Sequence, residues 1–152
     1  MRKIRLKTEI DPSLKETEVI IRAPEEDDET AALASQILSG FPKTLTIQGA
    51  DGVLLNIPMK DIVSISVDRK QVCIATEEEK YIVRQSLNSL EEKLVSGRFV
   101  RISRFEIVNL DKVRKYDFTM GGTLRLELAG GIETWASRRN IPMIRGKLKK
   151  EE

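Results

Sequence analysis

Histidine is absent from the 152 residues, and cysteine occurs once. Without an imidazole, no Ser-His-Asp or Cys-His constellation, no histidine-ligated zinc and no histidine phosphorelay site can be assembled within this chain. With the single thiol of Cys73, in "QVCIAT", neither an intramolecular disulfide nor a cysteine-clustered metal site can form. Set between Val72 and Ile74, that cysteine reads as a small residue in a strand. No apolar run approaches the ~20 residues of a membrane span, and the opening "MRKIRLKTEI" lacks the apolar core of a signal peptide. A soluble, cytoplasmic protein without membrane insertion is the expectation. Carboxylates are plentiful in "TEEEK" and "EEDDE", but those are turn-like, solvated stretches without the sheltered pairing that acid-base chemistry needs. Neither an enzyme nor a cofactor is expected, and no metal site.

What the chain does have is charge. It is 40% hydrophobic and 33% charged, a globular balance on the charged side of the usual ~25%. Its length suits one ordinary domain with a small extension. The net charge of +2 is unevenly spread: residues 1–42 hold six basic and nine acidic residues, whereas 98–150 hold thirteen basic and five acidic. A basic final third fits a polyanion binder. It fits a solvated charged face as well.

The first 42 residues read as a unit of their own. "RKIRLKTEI" and "EVIIRA" have the texture of strands joined by a turn-prone "DPSLK". The acidic "PEEDDET" then opens a helical stretch with Leu33 above Ile37 and Ala34 above Leu38, stopped by Gly40 and Pro42. This β-β-α extension is too short to bury a core alone, so it should pack on the main domain or on a second copy.

Residues 43–150 have a different texture. "LTIQG", "VLLNI", "DIVSISV", "QVCIAT" and "EKYIVR" are short β-branched or apolar segments separated by turns such as "ADG" and "DRK". They predict antiparallel hairpins. One helix interrupts them at "NSLEEKLVSG", where Ser89 and Glu92 have capping-box spacing, Leu87, Leu90 and Leu94 share a face, and Gly97 is the stop. "FEIVNL", "KVRKYDF", "TLRLELA" and "IETWAS" follow as strands, with "MGG" and "AGG" as turn glycines. "SRRNIPMIRGKLKK" closes the chain as a short helix capped by Ser137 or Asn140. The fold class is therefore mainly β, antiparallel, with one or two short helices after the N-terminal extension.

Within this pattern, "RFVRISRFEIVNL" (98–110) puts three arginines in the first seven positions of an apolar segment. Ile102 falls at an even position, Phe105 and Ile107 at odd ones, so an unbroken strand would send them to opposite faces. A turn or bulge near Ser103 and Arg104 would re-aim Arg104 away from the sheet.

The order "GRFVRISRFEIVNLDKV", basic hairpin, "GGIETWASRRNIPMIRGKL" resembles the LytTR family of bacterial DNA-binding domains, the output module of AgrA- and AlgR-like response regulators. The matching residues are Phe99, Arg101, Ser103 and Arg104, then Ile107, Val108 and Asn109, then Ser137, Arg138 and Arg139; the hairpin "DIVSISVDRKQVCIAT" is similar to the family's opening hairpin. The likeness spans about Lys43 to Lys149. It departs at Ile102-Ser103-Arg104, where many members carry His-Arg. The family's usual phosphoacceptor domain would not fit in 42 residues, so the chain resembles a stand-alone regulator.

The resemblance implies a LytTR-type antiparallel β fold that meets double-stranded DNA with loops. By the same token it implies contacts from Arg69, Lys70 and Gln71, from Arg101, Ser103 and Arg104, and from Arg138, Arg139 and Asn140. Lys112, Arg114, Lys115, Arg145, Lys147, Lys149 and Lys150 are candidates for phosphate neutralisation. Other readings stand beside these. Arg101 fits a solvent-facing strand residue, and Arg138 and Arg139 an exposed helix start. Asn109 fits a turn-forming residue bonded to local backbone, and Trp135 and Tyr116 fit core positions. The implied partners are duplex DNA, a second copy of the chain, and, in the rival reading, another regulatory protein paired through the extension.

Overall fold

The computed structural model describes residues 2–15, 17–94, 98–119 and 121–149, with only the backbone of Lys149. The chain divides into two compact units, Met1–Gly40 and Phe41–Glu152.

The first unit is built around α1 (Asp28–Ser39). Its cap is Asp27, whose carboxylate accepts from the Thr30 amide and hydroxyl, each at 2.9 Å. These bonds to the ionised form hold the Asp27 carboxyl below its ordinary value. Arg2 reaches the same acidic helix start, pairing with Asp27, with Glu25 at 3.7 Å and with Glu29 at 3.4 Å. The two strands expected upstream do not form among the described residues. "DPSLK" folds on itself instead: the Ser13 amide donates to the Asp11 carboxylate at 2.9 Å and the Leu14 amide to the Asp11 carbonyl at 3.2 Å. That local turn aligns no strand register, and a lone two-stranded hairpin is marginal in water without a face to cover.

The described residues of the second unit form ten antiparallel strands in three sheets. A five-stranded sheet of order β5-β4-β3-β7-β6 is its centre, from β3 (Ile62–Asp68), β4 (Gln71–Thr76), β5 (Lys80–Val83), β6 (Phe99–Ser103) and β7 (Glu106–Asn109). One face is covered by the hairpin β1 (Thr44–Gln48) and β2 (Leu54–Pro58) and by α2 (Leu87–Lys93); Leu45, Ile47, Ile65, Ile74, Leu90 and Ile107 are sealed there. Across the sheet, β8 (Val113–Asp117), β9 (Leu124–Leu128), β10 (Ile132–Ala136) and α3 (Ile141–Lys149) bury Val63, Val100, Ile102, Val108, Leu126 and Ile144. Each fully buried aliphatic of this kind contributes roughly 1.5–3 kcal/mol through apolar burial. A sheet buried on both faces explains the near-continuous apolar runs of β3 and β7.

Ile102 and Ile107 do lie in opposite cores. The device is a bulge: Arg101 pairs with Ile107 and Ser103 with Glu106, leaving Ile102 as the extra residue. The bulge leads directly into a two-residue turn at Arg104 and Phe105, so the break falls around Ser103 and Arg104 as the sequence suggests. Asn109 is buried and structural, donating to the Ile62 carbonyl at 2.9 Å while accepting from the Asp111 amide at 3.0 Å.

The cap of α2 is Ser86, which accepts from the Ser89 amide at 3.1 Å; Ser89 lies inside the first turn and donates back to the Ser86 carbonyl. The stop assigned to Gly97 falls outside the described residues. Trp135 is not a core residue: it is 49% exposed on the outer side of β10, where Thr134 and Ala136 take the inward positions of the alternation. Tyr116 does pack against the second core.

Candidate nucleic-acid interface

Three chain reversals meet at one end of the second unit. The first is the β3–β4 hairpin, whose two-residue tip is Arg69 and Lys70 between the paired Asp68 and Gln71. Both tip residues have positive φ, 51° and 66°. Such a tip suits the right-handed strand twist but favours Asn-Gly, because a side chain in this region is strained by about 1–3 kcal/mol per residue. Two exposed cations occupy it nevertheless.

The second reversal joins β6 to β7 through Arg104 and Phe105. Since β7 pairs antiparallel with β3, with Ser66 opposite Glu106, this turn stands beside the first tip. The Val67 amide donates to the Phe105 carbonyl at 2.8 Å and ties the two together. The third reversal leaves β10 as a single 3-10 turn, Arg138–Asn140, and runs into α3. The Ser137 amide donates to the Ile102 carbonyl at 2.7 Å, fixing this segment to the second reversal. Pro142, second in α3, sits where a helix tolerates a missing N–H.

The three arginines of "RFVRISR" have three different tasks. Arg98 pairs with Asp111 at 2.7 Å. Arg101 works as a clamp: Nε donates to the Ser103 carbonyl at 2.9 Å and Nη2 to the Arg104 carbonyl at 2.7 Å, while Nη1 reaches Asn88 at 3.0 Å and Glu91 at 3.1 Å on α2. Its guanidinium therefore braces the turn rather than facing outward. Ser103 closes the same turn, its hydroxyl accepting from the Phe105 amide at 3.2 Å. Arg104 alone is exposed, with no side-chain partner among the described residues. Arg138 and Arg139 are likewise exposed and unpartnered among the described residues, just ahead of a helix N-terminus that disfavours cations.

Phe105, which sequence reasoning assigned to the apolar set, is 56% exposed at the tip beside Arg104. Behind it, half-buried Glu106 accepts a hydrogen bond from the Thr134 hydroxyl. Burial raises the Glu106 carboxyl above its ordinary value, and the Thr134 bond opposes this.

The phosphate candidates do not share one location. Lys112 follows β7 at the opposite end of the sheet, where it pairs with Glu77 at 3.1 Å, so it stands away from the three tips. Arg114 is exposed at a bulge of β8, and exposed Lys115 pairs in register with Glu127. Arg145 on α3 lies over the Phe118 ring at 4.2 Å, held by cation–π attraction. Lys147 is half-buried; the side chain of Lys149 and all of Lys150 lie outside the described residues. The structure thus gathers Arg69, Lys70, Gln71, Ser103, Arg104, Arg138, Arg139 and Asn140 at one end, sets Arg101 behind them, and sets Lys112 apart.

A doubly covered antiparallel sheet that presents cations from three tied reversals defines a β-scaffolded cationic rim. The family model described as the LytTr DNA-binding domain matches residues 52–149. The chain belongs to that family. It is 30% identical over 136 residues to the sensory transduction protein LytT of Enterococcus faecalis, a match covering 88% of this chain and 55% of that protein; this chain spans about half of that relative's length. It is also 30% identical over 137 residues to an uncharacterized HTH-type transcriptional regulator of Staphylococcus aureus strain MSSA476, covering 88% of this chain and 92% of the relative. Among solved structures, a LytTr DNA-binding domain from Bacillus cereus superposes with a TM-score of 0.62 at 21% identity, covering 70% of this chain and 97% of that one. That likeness concerns the fold. In the described residues of this family region, α2 and α3 are separated by five strands rather than by a short turn.

Proposed function

We propose that the protein is a sequence-specific, DNA-binding transcriptional regulator that reads duplex DNA through the rim formed by residues 69–71, 103–105 and 138–140. One observation carries the reading: backbone bonds tie all three reversals together at a single end, and Arg104, Arg138 and Arg139 extend there with no partner among the described residues. Unpaired guanidinium groups are ready for bidentate contact with guanine O6 and N7 or with phosphate oxygens. Arg69 and Lys70 add cations on a strained tip. Arg101 acts through Arg104 by holding its turn. The site of action would be the cytoplasm, with no enzymatic step.

The functional boundary is taken at 42/43, with residues 1–42 serving to pair two copies. Ile4, Leu6, Ile10, Val19 and Ile20 are all exposed within the first unit and support that role, since apolar surface of this density calls for a partner. Retardation of random duplex at low and then moderate salt tests the main reading. Binding that falls steeply with salt is expected; no retardation at either salt would leave the rival reading, a module that pairs with another regulatory protein.

A further inference from the structure

Phe105 is the apolar member of an otherwise cationic rim. Its backbone is immobilised on both sides, the amide by the Ser103 hydroxyl at 3.2 Å and the carbonyl by the Val67 amide at 2.8 Å. Neither buried core takes up the ring, which stays 56% exposed. On a two-residue turn, a polar residue would satisfy the same backbone bonds at no apolar cost. The ring also stands next to Arg104, whose guanidinium has no partner among the described residues.

Resting on the DNA-reading function above, we propose that Phe105 is a specificity-determining residue that packs against the C5-methyl group of a thymine in the major groove. Thymine is the base that offers an apolar group on that edge, and a phenyl ring can discriminate it by contact alone. The fixed backbone makes the contact directional, because the ring's position follows that of the turn. Arg104, its neighbour in sequence, would meet the flanking base or phosphate. The tip would therefore read two adjacent features, one by charge and one by methyl contact.

The test uses the full chain and a duplex selected from random sequence for tightest binding. Each thymine of that duplex is replaced singly by deoxyuridine, which removes the methyl and nothing else. Wild-type affinity should drop about fourfold at one thymine, the worth of burying roughly one methyl group. Phe105→Ala should show no drop at that position, with its unfolding temperature unchanged as the control for folding. Indifference of the wild type to every replacement, an equal drop in Phe105→Ala, or a selected duplex with no thymine in its protected region would overturn the proposal while leaving DNA reading intact. Failure to select any duplex would overturn both.

Discussion

Charge alone does not make a side chain available, and the arginines of one short stretch demonstrate it. Arg101 spends its donors on two carbonyls of the turn and on Asn88 and Glu91, so its removal leaves the Ser103 and Arg104 carbonyls without their charged partner. Arg101→Ala should therefore destabilise the fold by about 1–3 kcal/mol and also weaken DNA binding by loosening the turn. Arg104→Ala touches no internal bond made by the side chain; its unfolding midpoint should be unchanged while affinity for a selected site falls by the ~1–3 kcal/mol of a bidentate contact. Chemical unfolding alongside a binding titration separates the two. Equal affinity in Arg104→Ala would remove that residue from the interface. Glu106 supplies a pH dependence. Its folded carboxyl is raised above its ordinary value by burial, so the folded state holds the proton more tightly than the unfolded one, and stability declines as pH rises from the unfolded value through the folded one. Glu106→Gln should raise the unfolding temperature at pH 7, and the gain should vanish below the normal glutamate range. A constant gain across that range would mean that the ionised carboxyl costs nothing there.

Among the elements, the β3–β4 hairpin shows local preference and use in conflict. Its tip conformation favours Asn-Gly, yet Arg69 and Lys70 adopt positive φ. Converting the pair to Asn-Gly should stabilise the protein by about 1 kcal/mol or more and weaken DNA binding, a trade expected where strain serves a contact. Stabilisation with undiminished affinity would show that the tip faces solvent only. The strands of the second unit were legible because alternation and turn glycines agree: Gly121, Gly122, Gly130 and Gly131 all have positive φ where "MGG" and "AGG" mark the turns. The rim was legible by family likeness at Arg104 and Arg139, since those positions keep the family pattern. Other features were hidden for physical reasons. The clamp at Arg101 depends on α2 coming within reach from ten or more residues upstream, and Ser86 rather than Ser89 was selected as the cap once Leu87 was needed inside the helix to reach the core. Trp135 has the look of a core residue, but β10 is an edge strand with only Ile132, Thr134 and Ala136 directed inward. Upstream of α1, alternation without a pairing partner was not sufficient to make strands.

At the scale of the whole molecule, charge and apolar surface are distributed to different units. The final third carries the cations, whereas the first unit carries an acidic helix start and exposes Ile4, Leu6, Ile10, Val19 and Ile20. An acidic segment has little reason to approach a polyanion, and apolar side chains of that number are more economically covered by a second copy than by water. Two copies would bring two rims to one duplex and turn the second engagement into an intramolecular event, which multiplies affinity without adding any base contact. Removing residues 1–40 should then have a divided effect. In sedimentation equilibrium the full chain should run at twice the monomer mass and the truncated chain at the monomer mass. On a duplex with two copies of the preferred sequence the truncated chain should bind at least tenfold more weakly, whereas on a duplex with one copy its base preferences should match those of the full chain, because the rim lies entirely in the second unit. An identical oligomeric state before and after truncation would end the pairing role of the first unit; altered base preferences on the single-copy duplex would instead mean that residues 1–40 reach the DNA themselves.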